Sequence, residues 1–504
     1  MAEIILAGYN VDSTTLEQAT QGAIDPDLLT PEPLTAAYAR ISRLRKPVGE
    51  LREIAREEVA KARRSNQRIV FEMGHAAVAE HAVFNFDIIG ASRLAIEFIE
   101  KFRLGCGYTE KSQRYIELDG DYVMPQELKP WEGEFRELVE KQNRMYQRIF
   151  KAVRDQKLRE LNHEPTRNER RLIEGIAKED ARYVTCLATE GQLGATYNAR
   201  TLENLIRQSL FHPLQEVKEI GRTLYKEADR VAPSLVIYAD PDEYLKTRGR
   251  NLDLDILAHG EKDLVTATEA LLGEVSAPNP REKLEEVTRI DARSTTELVL
   301  ASLITRGSKG RLGLVEAMDV VQRSQVPQQV RFLQGTLRHQ SSHHSMPREY
   351  ELQQSSFTWE VILSAACFGQ VKRHRIMSLT TVPYDPNLGI TVPETVKQVG
   401  LKSEMQDICD ASAELFYTIA EQEPDAAVYA LTNAHRRRAI ISANPRELHH
   451  IAGLRMDAHA QWDIRAIATE MIRQAKEIEP LIFALATGKH EFPERHRDFL
   501  GETA

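Results

Sequence analysis

The stretch "GHAAVAEHAVFNFDIIGASR", residues 74–93, has an altered second copy in the same chain, "HHSMPREYELQQSSFTWEVILSAACFG", residues 343–369. In both copies a histidine precedes a glutamate by five residues, His75 and Glu80 in the first. Both copies continue with apolar residues alternating with polar or small ones, the pattern of a half-buried strand. A chain of 504 residues is too long for one ordinary hydrophobic core. Together with the repeat, this length predicts two related domains.

A second pair of matching segments lies further along each half. The segment "ATYNARTLENLIRQSLFHPLQEV" in the first half corresponds to "IISANPRELHHIAGLRMDAHAQWDI" in the second. The match aligns Asn198 with Asn444 and Arg200 with Arg446. The order of the matching segments is the same in both halves, which favours a duplicated unit over chance similarity.

The polar and charged segment at about residues 245–262 separates the two copies and predicts domains at 1–247 and 262–504. Near the end of the chain the apolar period is that of a helix. One buried stripe is predicted there, formed by Ile464, Ile467, Ala468, Met471, Ile472, Ala475 and Ile478. Strand and helix periods together predict an α+β fold, a helix-rich domain with a central sheet that is present twice.

Composition restricts the class of protein. A formal charge of −9 and a pI of about 6.0 argue against a protein that coats nucleic acid. The N-terminus does not resemble a signal peptide, and no apolar run reaches the roughly 20 residues of a membrane span, so a cytoplasmic protein is expected. The cysteines lack the short spacings of metal or redox sites and are predicted to be buried, without a bound metal: Cys106, Cys186, Cys367 and Cys409.

The most basic motif of the second half is "QVKRHRIMSL", residues 370–379, which follows an apolar segment. Two arginines bracket a histidine in it. Taken alone, such a triplet is typical of a solvated helix end. The alternative is an anion site, because the planar guanidinium group offers paired donors to phosphate oxygens.

The combination of "HAAVAEH", "FNFDIIGASR", "RHRIMS" and "NPRELHHIAGLRMDAHAQWDI" resembles the flavin-dependent thymidylate synthases, once in each half. The resemblance implies that FAD is bound and that deoxyuridylate is methylated to thymidylate. Methylenetetrahydrofolate would donate the one-carbon unit, and NADPH would reduce the flavin. The small molecules implied as partners are therefore a nucleotide and a folate.

Neither half keeps the complete family pattern. In the family, "RHR" is followed by a serine, then by a glutamate, a serine and an arginine that bind the nucleotide. The second half keeps "RHR" and its serine but continues "LTTVPY", whereas the first half reads "FRLGCGYTEKSQRY" and keeps the later part. Downstream, Arg455 of the second half is aligned with Ser209 of the first, and Arg182 of the first half is aligned with Val428 of the second. Each half has kept what the other lost, which predicts a site composed of both.

The resemblance assigns roles residue by residue. Arg455 matches the family arginine that contacts and polarises the uracil ring, and it is the predicted catalytic residue. The predicted cofactor-binding residues are Arg373, His374, Arg375, Ser378, Asn444, Arg446, His459, His75, Glu80, Asn198 and Arg200. The predicted substrate-binding residues are Gln370, Glu110, Ser112, Gln113, Arg114, Arg182 and Arg455.

Family members build their sites between the subunits of a homotetramer, so a homodimer of this chain would form a pseudo-tetramer with fewer than four functional sites. The sequence leaves open whether the halves pair within one chain or between chains. Two departures from the family pattern bear on the identity of the substrate. They are Ala77, where the family has serine or threonine, and the unusual "LTTVPY" loop. Two other functions therefore stay open: transfer of a one-carbon group to a different pyrimidine nucleotide, and binding of flavin or nucleotide without turnover.

Overall fold

The computed structural model describes most of the chain. The described residues are 2–22, 29–41, 44–57, 59–67, 76–236, 252–275, 285–290, 294–337, 347–352, 357–480 and 483–495. His75, which was predicted to bind the cofactor, lies outside them.

The described strands form two four-stranded antiparallel sheets, one in each half. The strands are β1 Glu3–Tyr9, β2 Val83–Ser92, β3 Cys106–Glu110, β4 Glu190–Asn198, β5 Val287–Arg289, β6 Phe357–Ser364, β7 Ser378–Tyr384 and β8 Arg436–Ala443. The sheet orders are β1-β2-β4-β3 and β5-β6-β8-β7, the same order in both halves. The predicted duplication of an α+β unit is therefore confirmed.

Helices cover both sheets. In the first half they are α1 Ser13–Thr20, α2 Glu32–Ile41, α3 Val48–Glu57, α4 Val59–Asn66, α5 Arg93–Glu100, α6 Glu132–Arg159, α7 Arg167–Ala181, α8 Ala199–Leu210 and α9 Gln215–Val231. In the second half they are α10 Leu252–Glu274, α11 Thr295–Gly307, α12 Leu314–Arg323, α13 Val326–Thr336, α14 Ala365–Val371, α15 Glu394–Gln398, α16 Lys402–Ala420, α17 Pro445–Arg455 and α18 Trp462–Ile478. Short 3₁₀ helices include Ala76–His81, Arg182–Val184 and Ala427–Ala430.

The two halves use the same side chains to turn from strand into helix. Ser92 ends β2 and caps α5, and Ser364 ends β6 and caps α14; each hydroxyl accepts a backbone N–H three residues ahead, at 3.0 Å. Asn198 and Asn444 cap α8 and α17 in the same way, at 2.8 and 3.0 Å. These polar side chains satisfy N–H groups that have no partner within the helix.

The predicted stripe of α18 is confirmed except at its last position. Six of its seven residues are buried in the core of the second half, whereas Ile478 is 41% exposed. Ile478 ends the helix, so the chain leaves the core there. Three cysteines are buried as predicted, and Cys106 is only partly buried; all four thiols are free.

The halves are joined by backbone hydrogen bonds at their centre. Leu187 N–H donates to the carbonyl of Leu431, and Asn433 N–H donates to that of Thr185, both at 2.8 Å. Side chains of α16 extend the core of the first half, so the two halves share apolar interior.

The predicted domain boundary stays a prediction. The first part of the segment at 245–262, up to residue 251, lies outside the described residues, and α10 begins within the segment at Leu252. No helix in the described ranges is both long and apolar enough to cross a membrane.

Candidate functional site

The candidate site lies where the end of β3, in the first half, meets the loop between α14 and β7, in the second. Glu110, the last residue of β3, lies 3.3 Å from the guanidinium group of Arg373 and 3.7 Å from that of Arg93. Burial acts to raise the pKa of Glu110, but the positive charges of Lys372, Arg93 and Arg373 outweigh it and lower the pKa. Glu110 is therefore an ionised carboxylate that joins the two halves within one chain.

Arg182 of the first half lies close enough to Arg93 and Arg114 for their charges to interact. Arg114 forms an ion pair with Glu179, and Arg182 donates through Nε to the carbonyl of Glu179 at 3.3 Å. Burial lowers the pKa of Arg182, and the neighbouring charges of Arg93 and Arg114 lower it further. The guanidinium groups of Arg93, Arg114, Arg182 and Arg373 have two carboxylate neighbours here, Glu110 and Glu179, so positive charge is in excess and the region favours a bound anion.

The second half contributes Arg455, the last residue of α17. Its Nε–H donates to Nε2 of His374 at 2.9 Å, and its Nη2 lies 3.5 Å from the carbonyl oxygen of Gln370. Burial, followed by the charges of Arg373 and Arg114, lowers the pKa of Arg455. The predicted catalytic arginine and the predicted substrate-binding Arg114 are therefore close enough for their charges to interact.

Several buried polar atoms at this junction have no hydrogen-bond partner among the described residues. They are Nε of Arg93, Nη2 of Arg182, Oε1 of Gln370 and Oδ1 of Asn433. Gln113 belongs to the same group, because its Oε1 accepts from Asn433 at 3.4 Å. A buried polar group without a partner costs free energy, so a cluster of them indicates a place built for a polar ligand.

Other predicted residues of the second half lie at the surface beside the site. Arg373, Arg375 and Arg446 are exposed, and Arg375 donates to the carbonyl of Cys106 in the first half at 2.9 Å. Ser378 is the first residue of β7. In the first half, Ser112 Oγ accepts the backbone N–H of Arg114 at 3.3 Å, which shapes the turn after β3.

The first-half residues predicted to bind the cofactor make contacts with one another. Glu80 and Arg200 form an exposed ion pair at 2.6 Å, and Asn198 is occupied as the cap of α8. Their predicted role stays a prediction. Asn444 is likewise occupied as the cap of α17, but Arg446 differs from Arg200, because no carboxylate is seen to pair with it in the described part of the chain.

His459 belongs to a different cluster. The ligand atoms of Asp457, His459 and His490 lie within 4.8 Å of one another, the one group among the described residues with the spacing of a metal site. Asp457 also accepts the backbone N–H of His459 at 3.1 Å and pairs with the ring of His490. The expectation that the protein binds no metal stays untested.

The halves are related by a pseudo-twofold arrangement, so the candidate site has a counterpart on the opposite side. Aligned on the capping serines, Gly369 of the candidate site corresponds to Glu97 of the counterpart. Aligned on the strand pairs, Gly191 corresponds to Arg437. The two positions that are glycines in the candidate site are therefore occupied by a carboxylate and a guanidinium group in its counterpart.

The counterpart position is filled by the protein itself. Arg437 forms a buried ion pair with Glu97 and donates to the carbonyl of Val382 at 2.8 Å. Tyr384 donates to Glu97 at 2.7 Å, and its ring lies 4.3 Å from the guanidinium carbon. Arg437, Glu97 and Tyr384 therefore satisfy one another within the protein.

Sequence comparison missed some residues that the structure places in the site. Arg93 ends the motif "FNFDIIGASR" but has Ala365 opposite it in the second half, and the sequence analysis assigned it no role. In the structure its Nη2 donates to the carbonyl of Ala365 at 2.8 Å and its Nη1 faces Glu110. Lys372 was visible beside "RHR" but forms a buried ion pair with Glu100 at 2.8 Å.

A family model described as "Thymidylate synthase complementing protein" matches the chain twice, at residues 27–234 and 278–481. This chain belongs to the thymidylate synthase complementing protein family. The two matched regions contain the two sheets, apart from β1, and both contribute residues to the candidate site. Family membership thus accounts for the duplicated fold.

Some relatives match most of this chain, and others match about half of it. A UPF0159 protein of Thermoplasma acidophilum is 24% identical over 451 residues, which cover 82% of this chain and 86% of that protein. A flavin-dependent thymidylate synthase of Clostridium tetani is 29% identical over 216 residues, 42% of this chain and 83% of that protein. Among solved structures, the UMP/dUMP methylase PolB of Streptomyces cacaoi matches with a TM-score of 0.33 and 17% identity, over 47% of this chain and 93% of PolB.

Proposed function

We propose that this member of the thymidylate synthase complementing protein family is a flavin-dependent enzyme that methylates deoxyuridylate to thymidylate. The observation that supports this most is the cluster of buried, unpartnered polar atoms at the junction of the halves, on Arg93, Arg182, Gln370 and Asn433. They belong to a region where both halves contribute arginines, and the positive charge of that region fits an anionic pyrimidine nucleotide. Relatives named flavin-dependent thymidylate synthase support the class of reaction.

In this proposal Arg114 and Arg182 bind the nucleotide phosphate, and Ser112 and Gln113 shape the pocket around it. Glu110 accepts a hydrogen bond from the sugar. Arg455 donates to a uracil carbonyl and stabilises the negative charge that develops there during addition at C5. No cysteine nucleophile is required, which agrees with three buried thiols whose pKa values burial raises: Cys186, Cys367 and Cys409.

The exposed guanidinium groups of Arg373, Arg375 and Arg446 fit the phosphates of FAD, and the N-terminus of α17 beside Arg446 adds partial positive charge. When bound, the reduced flavin supplies the hydride that converts the transferred one-carbon unit into a methyl group. His374 fits direct contact less well, because it is buried against Arg455. NADPH as reductant, methylenetetrahydrofolate as donor and a homodimeric assembly are parts of the same proposal.

The test is an anaerobic titration of the purified flavoprotein with NADPH, with and without deoxyuridylate, followed by an assay for thymidylate. Faster flavin reduction with deoxyuridylate and formation of thymidylate are expected. Arg182→Ala should abolish the response to deoxyuridylate, whereas Arg473→Ala, on the exposed face of α18, should not. A flavin that ignores deoxyuridylate but responds to another pyrimidine nucleotide would contradict the substrate, and a response to none would favour binding without turnover.

A further inference from the structure

The side chain of Arg455 contacts His374, which in turn contacts Glu447. Its Nε–H donates to Nε2 of His374 at 2.9 Å, and on the far side of the ring Nδ1 lies 3.4 Å from Oε1 of Glu447. His374 and Glu447 are both almost completely buried, with 4% and 5% of their side chains exposed. The three groups form a continuous row from the first turn of α17 to the candidate site.

The direction of the first contact fixes the proton on the imidazole ring. A guanidinium group only donates, so Nε2 must be an acceptor, and the neutral ring must carry its proton on Nδ1. Burial, the charge of Arg455 and His450 lower the pKa of His374 to about 3, so the ring is neutral at physiological pH. Its Nδ1–H then faces Glu447.

Among the described residues, no other acceptor is seen to bind Nδ1 of His374. Nδ1 of His374 and Oε1 of Glu447 are both buried, and neither makes a hydrogen bond of standard geometry, to one another or to any other described group, so the 3.4 Å contact between them is the nearest polar contact that each is seen to make on this side of the ring. The neighbouring His450 ring stands edge-on at 5.7 Å. Arg103 of the first half holds the backbone of the loop, donating to the carbonyls of His374 and Met377 at 2.8 and 2.9 Å.

We propose that Glu447 is a positioning residue that acts through His374 on Arg455. Its carboxylate keeps the imidazole proton on Nδ1, so that Nε2 remains an acceptor and fixes the guanidinium plane towards the substrate. Without that acceptor the proton can move to Nε2. Two N–H donors, on His374 and on Nε of Arg455, would then face one another and could not form a hydrogen bond. This inference rests on the proposed role of Arg455, but the tautomer itself does not.

The test compares Glu447→Gln, which keeps an acceptor oxygen, with Glu447→Met, which removes it at similar size. In protein labelled with ¹⁵N in the histidine rings, the His374 signals are assigned with His374→Gln. We expect the Nδ1–H tautomer in the native protein and in Glu447→Gln, and a shift towards Nε2–H in Glu447→Met. Glu477→Met, on the exposed surface of α18, is the matched control.

Turnover adds a second measurement. We expect Glu447→Met to lower kcat about 10-fold or more while leaving flavin content unchanged, and Glu447→Gln to restore most of the rate. A native tautomer and native kcat in Glu447→Met would overturn the proposal. An equal loss in Glu447→Gln and Glu447→Met with an unchanged tautomer would also overturn it. If neither the native protein nor any variant forms thymidylate, the proposed function fails. The NMR result still decides whether Glu447 sets the tautomer of His374.

Discussion

Tyr183 of the first half donates its hydroxyl hydrogen to Asp463 of the second half, at 2.8 Å. The contact is reciprocal, because Tyr429 of the second half donates to Glu216 of the first at 2.5 Å. All four side chains are buried, and each carboxylate also accepts from the capping serine of its own half. Each half therefore completes a polar site in the core of the other, and the two halves stabilise one another.

Removing one of these hydroxyls should lower stability without changing the fold. Tyr183→Phe leaves Asp463 with one buried hydrogen bond fewer, so we expect the free energy of unfolding to fall by about 1–3 kcal/mol. Equilibrium unfolding in urea measures the change. Tyr350→Phe, at a 41% exposed ring, is the control and should change little. Equal effects of the two substitutions would show that the inter-half contact does not stabilise the protein.

Asp180 predicts a dependence of stability on pH. Burial raises the pKa of its carboxyl from 3.8 to about 6, although Thr395 and Trp462 donate to it. Between these pH values the folded protein keeps a proton that the unfolded chain releases, so this group's contribution to stability falls as pH rises from about 4 to about 6. Asp180→Asn should remove that fall.

The Asn side chain keeps an acceptor for Trp462, so Asp180→Asn isolates the charge. Relative to the native protein, we expect its free energy of unfolding to increase by roughly 1–3 kcal/mol between pH 4 and pH 7. Urea unfolding at a series of pH values gives this difference. A difference that stays constant with pH would mean that Asp180 titrates normally in the folded state.

The closed counterpart predicts one nucleotide site per chain. Arg437 and Glu97 occupy the position that mirrors the candidate site and satisfy one another there. Isothermal titration of the flavin-loaded protein with deoxyuridylate should therefore give a stoichiometry of about one per chain, as the pseudo-symmetric fold would otherwise allow two. A measured value of two would show that the ion pair yields to a ligand.

The site is composed within a single chain, because Glu110 and Arg373 contact one another there. Mixing Arg114→Ala chains with Arg455→Ala chains should consequently restore no activity, since neither chain contains a complete site. A double variant, Arg114→Ala with Arg455→Ala, provides the baseline for the mixture. Recovery towards a quarter or more of native activity would require that sites form between chains.

The sequence alone was sufficient for the features that repeat locally. Strand alternation and the ordered match of the two halves predicted a duplicated α+β unit, since both are patterns of the residues along the chain. Complementary losses in the two halves also predicted that a site needs both. The cofactor and substrate roles of individual residues remain predictions.

Tertiary structure decided what lies between the halves. The contacts of Arg93 with Glu110, of Arg437 with Glu97 and of His374 with Glu447 join positions whose relation no local pattern encodes. Glycine opposite a charged residue reads as simple divergence until packing shows that Gly369 lies against Arg93 on one side, whereas Glu97 pairs with Arg437 on the other. The sequence by itself determined the two units and the residues that each retained. Only the tertiary structure decided which of their charges pair in the interior, because a charge there must find a partner.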